Sequence, residues 1–156
     1  MIVSDAGPLI VLLKTNKLSI LKELFGTVNI PTAVFNEITV KEQEKALFLK
    51  IDWVKPVKIK KDNDYKLLEE LVDRGEAEAI ILAKELKSQL LADDAKARKY
   101  AILLNVEVIG TLGLLKLAKN RGVIPSVKAA IRDMLAEGYY IDGRLIAKLL
   151  EDVGES

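Results

Sequence analysis

Two acidic residues of this chain each follow a short apolar segment. Asp5 comes after Met1–Ser4, and Asp94 comes after Leu90–Asp93. If both segments are strands of one parallel sheet, the two carboxylates meet at its carboxyl edge, where open α/β folds build their sites. Carboxylates grouped without His or Cys form the hard oxygen environment that Mg²⁺ or Mn²⁺ prefers. The sequence therefore predicts a divalent-metal site at this edge.

Each of these aspartates also has a purely structural interpretation. Asp5 precedes Ala6-Gly7-Pro8 and can act as the N-cap of the helix that follows. Asp93 and Asp94 form a pair, and one of them can cap the next helix in the same way. The pair leaves open which of the two is the site acid, and we favour a functional role for one of them.

Two glutamates are the further candidates for this site. Glu37 lies within a predicted helix, where a single charged residue is usually solvated. Glu76 follows Gly75 in the first turn of another predicted helix, where the helix dipole alone explains an acid. Glu78 competes with Glu76, but residues two apart on a helix point to different sides. At most one of them is therefore expected to face the site.

Composition narrows the chemistry that the chain can perform. It has 156 residues, half of them hydrophobic, which fits one domain with a sizeable core. It contains neither His nor Cys, which excludes His-based triads, thiolate metal sites and a Cys nucleophile. The net charge is +1 and indicates no particular partner. No apolar run is long enough to span a bilayer and the start lacks a basic signal region, so we expect a cytoplasmic location.

Short apolar segments alternate with helical patterns, which predicts parallel βαβ units. The expected fold is a three-layer α/β/α sandwich with a central parallel sheet, forming a single domain over residues 1–156. Its core covers about 1–122 and its extra C-terminal helices about 123–152, with the last residues, 153–156, fraying. Trp53–Ile59 is expected to be an edge strand or a loop because Pro56 interrupts it. The predicted strands are 1–4, 27–30, 90–93 and 106–109, and the predicted helices are 8–14, 18–25, 32–38, 41–50, 64–74, 76–87, 95–104, 112–120, 125–137 and 144–151.

Five segments together resemble the sequence motifs of PIN-domain nucleases. They are an opening strand and helix, a proline followed by a helix with one glutamate, a Gly-Glu-Ala-Glu-Ala helix, an apolar strand followed by Asp-Asp, and a Gly-Thr-Leu-Gly turn. The resemblance covers most of residues 1–122 and is closest to a PIN-like branch that shares the last three motifs. The segments are Ile2–Ile10, Ile30–Ile38, Gly75–Ile80, Leu90–Asp94 and Gly110–Leu115.

The resemblance implies a ribonuclease that hydrolyses single-stranded RNA with Mg²⁺ or Mn²⁺. Asp5, Glu37, Glu76 and Asp94 would be the catalytic and metal-binding acids, with Asp93 as a less certain fifth ligand. The four carboxylates should then converge on one shared point. Many small PIN nucleases are toxins of toxin–antitoxin pairs and many form dimers, so the resemblance also implies an antitoxin partner and a homodimer. The alternative is a PIN-like module that binds nucleic acid or protein without catalysis.

Other residues are weaker candidates for substrate binding. Thr111 can contact a carboxylate or a phosphate, although helix capping explains it first. Arg98 can contact phosphate, although we favour an ion pair or a solvated side chain. The segment Lys41–Lys61 contains seven lysines, but its mixed charges are also typical of a solvated face. Aromatic residues are scarce, so we expect Trp53 and the pair Tyr139–Tyr140 to be packing residues.

Overall fold

Five short parallel strands form the centre of the molecule. The computed structural model describes all residues, 1–156. The sheet has the order β3-β2-β1-β4-β5, and every pairing in it is parallel. This confirms the predicted α/β fold with a central parallel sheet. The strands are β1 (Ile2–Ser4), β2 (Val28–Pro31), β3 (Val54–Val57), β4 (Leu90–Leu91) and β5 (Val108–Ile109).

Ten helices connect the strands and follow the last of them. None of these helices is both long enough and apolar enough to cross a membrane. The helices are α1 (Ala6–Lys14), α2 (Ser19–Phe25), α3 (Thr32–Ile38), α4 (Glu42–Leu49), α5 (Asn63–Leu68), α6 (Arg74–Leu86), α7 (Ala95–Leu103), α8 (Thr111–Asn120), α9 (Val127–Ala136) and α10 (Gly143–Asp152).

The central strand β1 determines where a site can form. Val3 pairs with Asn29 of β2 on one side and with Leu90 of β4 on the other. All three residues of β1 are fully buried, as expected for a strand that is covered on both faces of a parallel sheet. From β1 the chain builds outward first to β2 and β3 and later to β4 and β5. The strand order therefore reverses between β1 and β4, and open α/β sheets bind ligands at the carboxyl ends of such strands.

The region before α6 differs from the sequence prediction. We expected one helix over 64–74 that ended at Gly75, but α5 ends at Leu68 and α6 begins at Arg74. The reason is a capping box. Asp73 accepts a hydrogen bond from the Glu76 amide at 2.8 Å, and the Glu76 carboxylate accepts one from the Asp73 amide at 3.2 Å. Gly75 consequently lies inside the first turn of α6.

The segment around Pro56 forms the edge strand β3. Pro56 pairs in register with Ile30 of β2, and no strand lies on the outer side of β3. A proline has no amide hydrogen to donate to a sheet ladder, so an edge position accommodates it. This selects the edge-strand alternative for Trp53–Ile59.

The C-terminal helices are part of the hydrophobic core. Ile131 and Met134 of α9 and Leu149 of α10 are buried within the same cluster as the residues that surround the sheet. The expected fraying of 153–156 is wrong. Glu155 accepts hydrogen bonds from the Ser126 hydroxyl at 2.7 Å and from the Val127 amide at 2.8 Å, which lowers its pKa to about 2. Its carboxylate thereby holds the last residues against the N-terminus of α9.

Candidate active site

The four predicted site acids all lie near the carboxyl edge of the sheet. Asp5 directly follows β1, and its amide donates a hydrogen bond to the Leu91 carbonyl at the end of β4, with 2.9 Å between nitrogen and oxygen. Asp94 follows β4 at the start of α7. Glu37 lies on α3, which continues from β2, and Glu76 lies in the first turn of α6, which packs against α3. Two strands and two helices therefore bring acids to one region.

Asp5 has a strongly perturbed carboxyl group. Burial and repulsion from the nearby carboxylates of Asp73, Glu37 and Asp94 together raise its pKa to about 6, against the opposing effect of the Ala6 amide. Asp5 occupies the N-cap position of α1, but its side chain makes no capping hydrogen bond there. The N-cap role that the sequence suggested therefore does not account for the carboxylate, which is buried beside three other acids.

Glu76 has the second perturbed carboxyl group. Burial raises its pKa to about 7, assisted by repulsion from Asp73, Asp94 and Asp5, while the hydrogen bond from the Asp73 amide lowers it. The charges of Asp5 and Asp94 both raise the pKa of Glu76, so these three carboxylates are close enough to repel one another. The Glu76 carboxylate also accepts the capping-box hydrogen bond from the Asp73 amide, and this bond orients its side chain at the start of α6.

Asp73 belongs to this group, although the sequence analysis did not select it. It raises the pKa of Asp5, Glu37 and Glu76. We missed it because Gly75 was interpreted as a helix end, which placed Asp73 inside the preceding helix. The signal that identifies it is the spacing Asp73-x-x-Glu76, which is typical of a capping box at a helix start.

Gly75 gives the acids room at the start of α6. A Cβ at this buried position would lie 3.6 Å from Oδ1 of Asp73 and 3.8 Å from Oδ1 of Asp5. Both carboxylate oxygens therefore flank the same small space. A Cβ there would be in ordinary van der Waals contact with both oxygens, and atoms beyond the Cβ would have to share that small space.

Glu37 lies at the more open side of the site. Its side chain is exposed, and partial burial together with Asp73 raises its pKa. Glu37, Asp73 and Gly75 line a cleft of about 330 Å³ that also includes Asn36. The exposed position leaves the Glu37 carboxylate free to change its rotamer.

Asp93 and Asp94 have different roles in the structure. Asp94 is the N-cap of α7, where Oδ2 accepts a hydrogen bond from the Ala97 amide at 2.9 Å, and its charge raises the pKa of Asp5. Asp93 turns away to β5 and α8, where it accepts hydrogen bonds from the Thr111 amide at 2.7 Å and from the Thr111 hydroxyl at 2.5 Å. Of the two, Asp94 is the one that shares the electrostatic field of Asp5.

The contact between Asp93 and Thr111 also explains Gly110. Gly110 is the N-cap of α8 and Thr111 is the first helical residue, so Thr111 is not the cap that the sequence suggested. A Cβ at Gly110 would lie 3.0 Å from Oδ1 of Asp93 and 3.3 Å from Nη1 of Arg98. The missing side chain thus lets Asp93 cap α8 from the neighbouring strand. Arg98 forms no ion pair with any carboxylate.

Removing the Asp93 carboxylate should destabilise the protein measurably. We expect Asp93→Ala to lower the free energy of unfolding by about 1–3 kcal/mol, because it leaves the amide and hydroxyl of Thr111 without an acceptor. Urea denaturation of wild type and variant measures the difference. Asp52→Ala is the matched control, since Asp52 is exposed and forms no ion pair. Equal unfolding midpoints for Asp93→Ala and wild type would contradict the structural role.

Glu78 is buried, and its two hydrogen-bond partners line the same cleft as Glu37 and Asp73. It is 2 % exposed, and it accepts hydrogen bonds from the Ala33 amide and from Nε of Arg74, both at 3.1 Å. The Ala33 amide belongs to the first turn of α3, so Glu78 ties α6 to the N-terminus of α3. Glu78 is occupied by these two partners, whereas Glu76 is the α6 glutamate whose pKa is raised by Asp73, Asp94 and Asp5.

The five carboxylates have no positively charged protein partner. None of them forms an ion pair with Lys or Arg. Grouped carboxylates without a counter-charge fit a hard divalent cation, both by charge and by ligand type. As placed, however, no three acidic side chains are close enough to hold one metal ion together, so the expected convergence on a single point is not present. The five are Asp5, Glu37, Asp73, Glu76 and Asp94.

The comparison with protein families agrees with this fold. The model of the family described as DUF3368, a PIN domain, matches residues 1–155. The chain therefore belongs to the PIN-domain family. PIN domains are commonly nucleases and typically use divalent metal ions. No curated protein matches the chain.

Proposed function

We propose that this protein is a Mg²⁺- or Mn²⁺-dependent ribonuclease that hydrolyses phosphodiesters of single-stranded RNA. The observation that carries the proposal is the group of uncompensated carboxylates at the reversal point of the sheet, where burial and mutual repulsion raise the pKa of Asp5 to about 6. Membership of a family whose members are commonly nucleases supports it. The proposed metal-binding acids are Asp5, Glu37, Glu76 and Asp94.

The chain's own residues differ in how firmly they are positioned. Asp5 and Asp94 are held by strand ends and by backbone hydrogen bonds, so they provide the fixed side of the site. Glu76 is oriented by the Asp73 amide, and Glu37 is free to rotate towards a ligand. A divalent cation bound there would supply a Lewis acid that activates water and stabilises negative charge on the phosphodiester.

The non-catalytic alternative has one observation in its favour. No three carboxylates are positioned to hold one metal ion together, which suits a module that binds RNA or protein without turnover.

The proposed toxin role, with an antitoxin partner or a second copy of the chain, is supported by the exposed Ile102 and Leu103 on α7, which offer apolar contact surface. Purification with a co-expressed antitoxin candidate and light scattering of the protein alone would test these assignments.

Metal-dependent cleavage tests the proposed function directly. We expect wild type to cut a mixed pool of single-stranded RNA with Mg²⁺ or Mn²⁺ and not with EDTA. Asp5→Asn should lower the cleavage rate by more than about 100-fold, because loss of a metal ligand should exceed the 10–100-fold effects of residues that only orient ligands. Gel analysis of end-labelled RNA measures the rates.

Two further measurements make the assay decisive. Asp52→Asn removes an exposed carboxylate far from the site and should retain the wild-type rate. Retained cleavage in Asp5→Asn would place the activity elsewhere. If folded wild type cuts no RNA with either metal but binds it, the non-catalytic alternative is correct.

A further inference from the structure

A second concave surface adjoins the acid site. This groove has a volume of about 730 Å³ and lies between the start of α8, α7 and the segment that joins α9 to α10. Gly7 and Asp93 line it, and they are close neighbours along the chain of the site acids Asp5 and Asp94. A linear ligand at the acid site can therefore continue into the groove.

An exposed tyrosine lies in the wall of the groove. Tyr140 is 89 % exposed, whereas Tyr139 is half-buried and packs against the core. The sequence-based expectation that both are packing residues is therefore wrong for Tyr140. Tyr139 anchors the connecting segment, and Tyr140 is a lining residue of the groove whose side chain is accessible to a ligand. Such a ring offers a stacking surface for a planar apolar face, such as a nucleobase.

Arg98 is the one basic residue that lines the groove, and it forms no ion pair. The two carboxylates of the lining are already engaged. Asp93 accepts both hydrogen bonds of Thr111, and Asp142 accepts a hydrogen bond from the Arg144 amide at 2.8 Å and lies 3.6 Å from its guanidinium. The Arg98 guanidinium is exposed and forms no ion pair, so it can contact an anionic group of a ligand.

We propose that the groove is a nucleotide subsite for single-stranded RNA, in which a base stacks on Tyr140 and the adjoining phosphate contacts Arg98. An exposed ring, an unpaired guanidinium and continuity with a metal-type acid site together match one nucleotide of a chain that reaches the scissile phosphate. The inference rests on the proposed function for its choice of RNA as the ligand. Tyr140 and Arg98 bind and position RNA and take no part in the chemical step.

Binding of labelled RNA to a protein that cannot cut it tests the subsite. The probe is a fluorescent single-stranded RNA of about eight nucleotides, a length within the range that such sites cover. Fluorescence anisotropy is measured with full-length Asp5→Asn protein and with the same protein carrying Tyr140→Ala, Tyr140→Phe or Arg98→Ala. A second probe has the same backbone without bases. Leu67→Ala, an exposed change on α5, is the control.

Tyr140→Ala should weaken binding of the normal RNA about tenfold, because one stacked base contributes about 1–3 kcal/mol. Tyr140→Phe should bind like its parent, and the baseless probe should not distinguish the tyrosine variants. Arg98→Ala should weaken both probes and reduce the salt dependence of binding. Equal affinity of Tyr140→Ala and parent for normal RNA would overturn the proposal.

The outcome is separable from that of the proposed function. RNA binding that depends on Tyr140, in a protein whose wild type does not cleave, would refute the nuclease and retain the subsite. Cleavage by wild type, with affinity and rate unchanged in Tyr140→Ala, would retain the nuclease and refute the subsite. Binding of neither probe to the parent protein would refute the subsite and leave the groove to another class of ligand.

Discussion

Replacing Asp5 by asparagine will raise the free energy of unfolding of the metal-free protein at neutral pH, while it removes the proposed activity. The charged form of Asp5 is disfavoured in the folded protein, because burial and neighbouring carboxylates raise its pKa from 3.8 to about 6. A shift of this size corresponds to at most about 3 kcal/mol, and the polar asparagine amide, which must also be partly buried, reduces the gain. We expect a gain of about 2 kcal/mol, which thermal unfolding in EDTA measures.

The stability gain of Asp5→Asn over wild type should increase as the pH rises. The folded-state pKa of Asp5 lies above its unfolded value, so the folded protein binds the proton more tightly. The wild type loses stability from this group as the pH rises from about 4 to about 6, and the loss is constant above that range. The difference in melting temperature between Asp5→Asn and wild type should therefore be small at pH 4 and reach its full size near pH 7.

Divalent metal should reverse the order of stability. Mn²⁺ or Mg²⁺ that binds only the folded state stabilises wild type by an amount that rises with the logarithm of its concentration once that exceeds the dissociation constant, and Asp5→Asn should gain much less. Asp52→Asn, an exposed change, should follow wild type under all conditions. A variant that is less stable than wild type in EDTA at pH 7 would show that Asp5 is held by favourable contacts instead of being repelled.

Replacing Glu78 by alanine will lower stability by about 3 kcal/mol, the largest loss that we expect from one acidic residue. The change leaves the Ala33 amide without its acceptor, removes buried methylenes and breaks the pair with Arg74. For a chain of this length the loss corresponds to roughly 6–12 °C in melting temperature. Differential scanning calorimetry of wild type and variant measures it.

Two related variants separate the parts of this effect. Glu78→Gln keeps an acceptor for the Ala33 amide and should lose clearly less stability than Glu78→Ala. Glu23→Ala, an exposed change on α2, should lie within about 0.5 kcal/mol of wild type. If Glu78→Ala and Glu23→Ala had the same melting temperature, Glu78 would not connect α6 to α3 in the way the structure indicates.

Local sequence patterns were sufficient for the sheet and for the approximate position of the acids. The stretches Met1–Val3 and Leu90–Ala92 are apolar without alternation, which is typical of parallel strands buried on both faces. Asp5 and Asp94 each come just after one of these stretches, so a parallel sheet brings them to the same edge. Gly26 and Gly122, which follow α2 and α8, have a positive φ, the backbone conformation that favours glycine just after a helix.

Other features depend on contacts between segments that are distant in the chain. Whether Asp93 or Asp94 faces the site is decided by Thr111, eighteen residues further on, which binds Asp93. Whether Glu76 or Glu78 faces the site is decided by the Ala33 amide of α3, which binds Glu78. Neighbouring acids of the same type have no local pattern that distinguishes them.

The sequence by itself determined the order of strands and helices, the absence of His and Cys chemistry, and the acids that follow strands, because these depend on residue type and local spacing. Only the tertiary structure decided that Asp73 joins the acid group, that Asp93 and Glu78 bind backbone amides of other segments, and that Tyr140 is exposed in the groove that Arg98 also lines. The physical reason is that hydrogen-bond partners and burial depend on which segments the fold brings together.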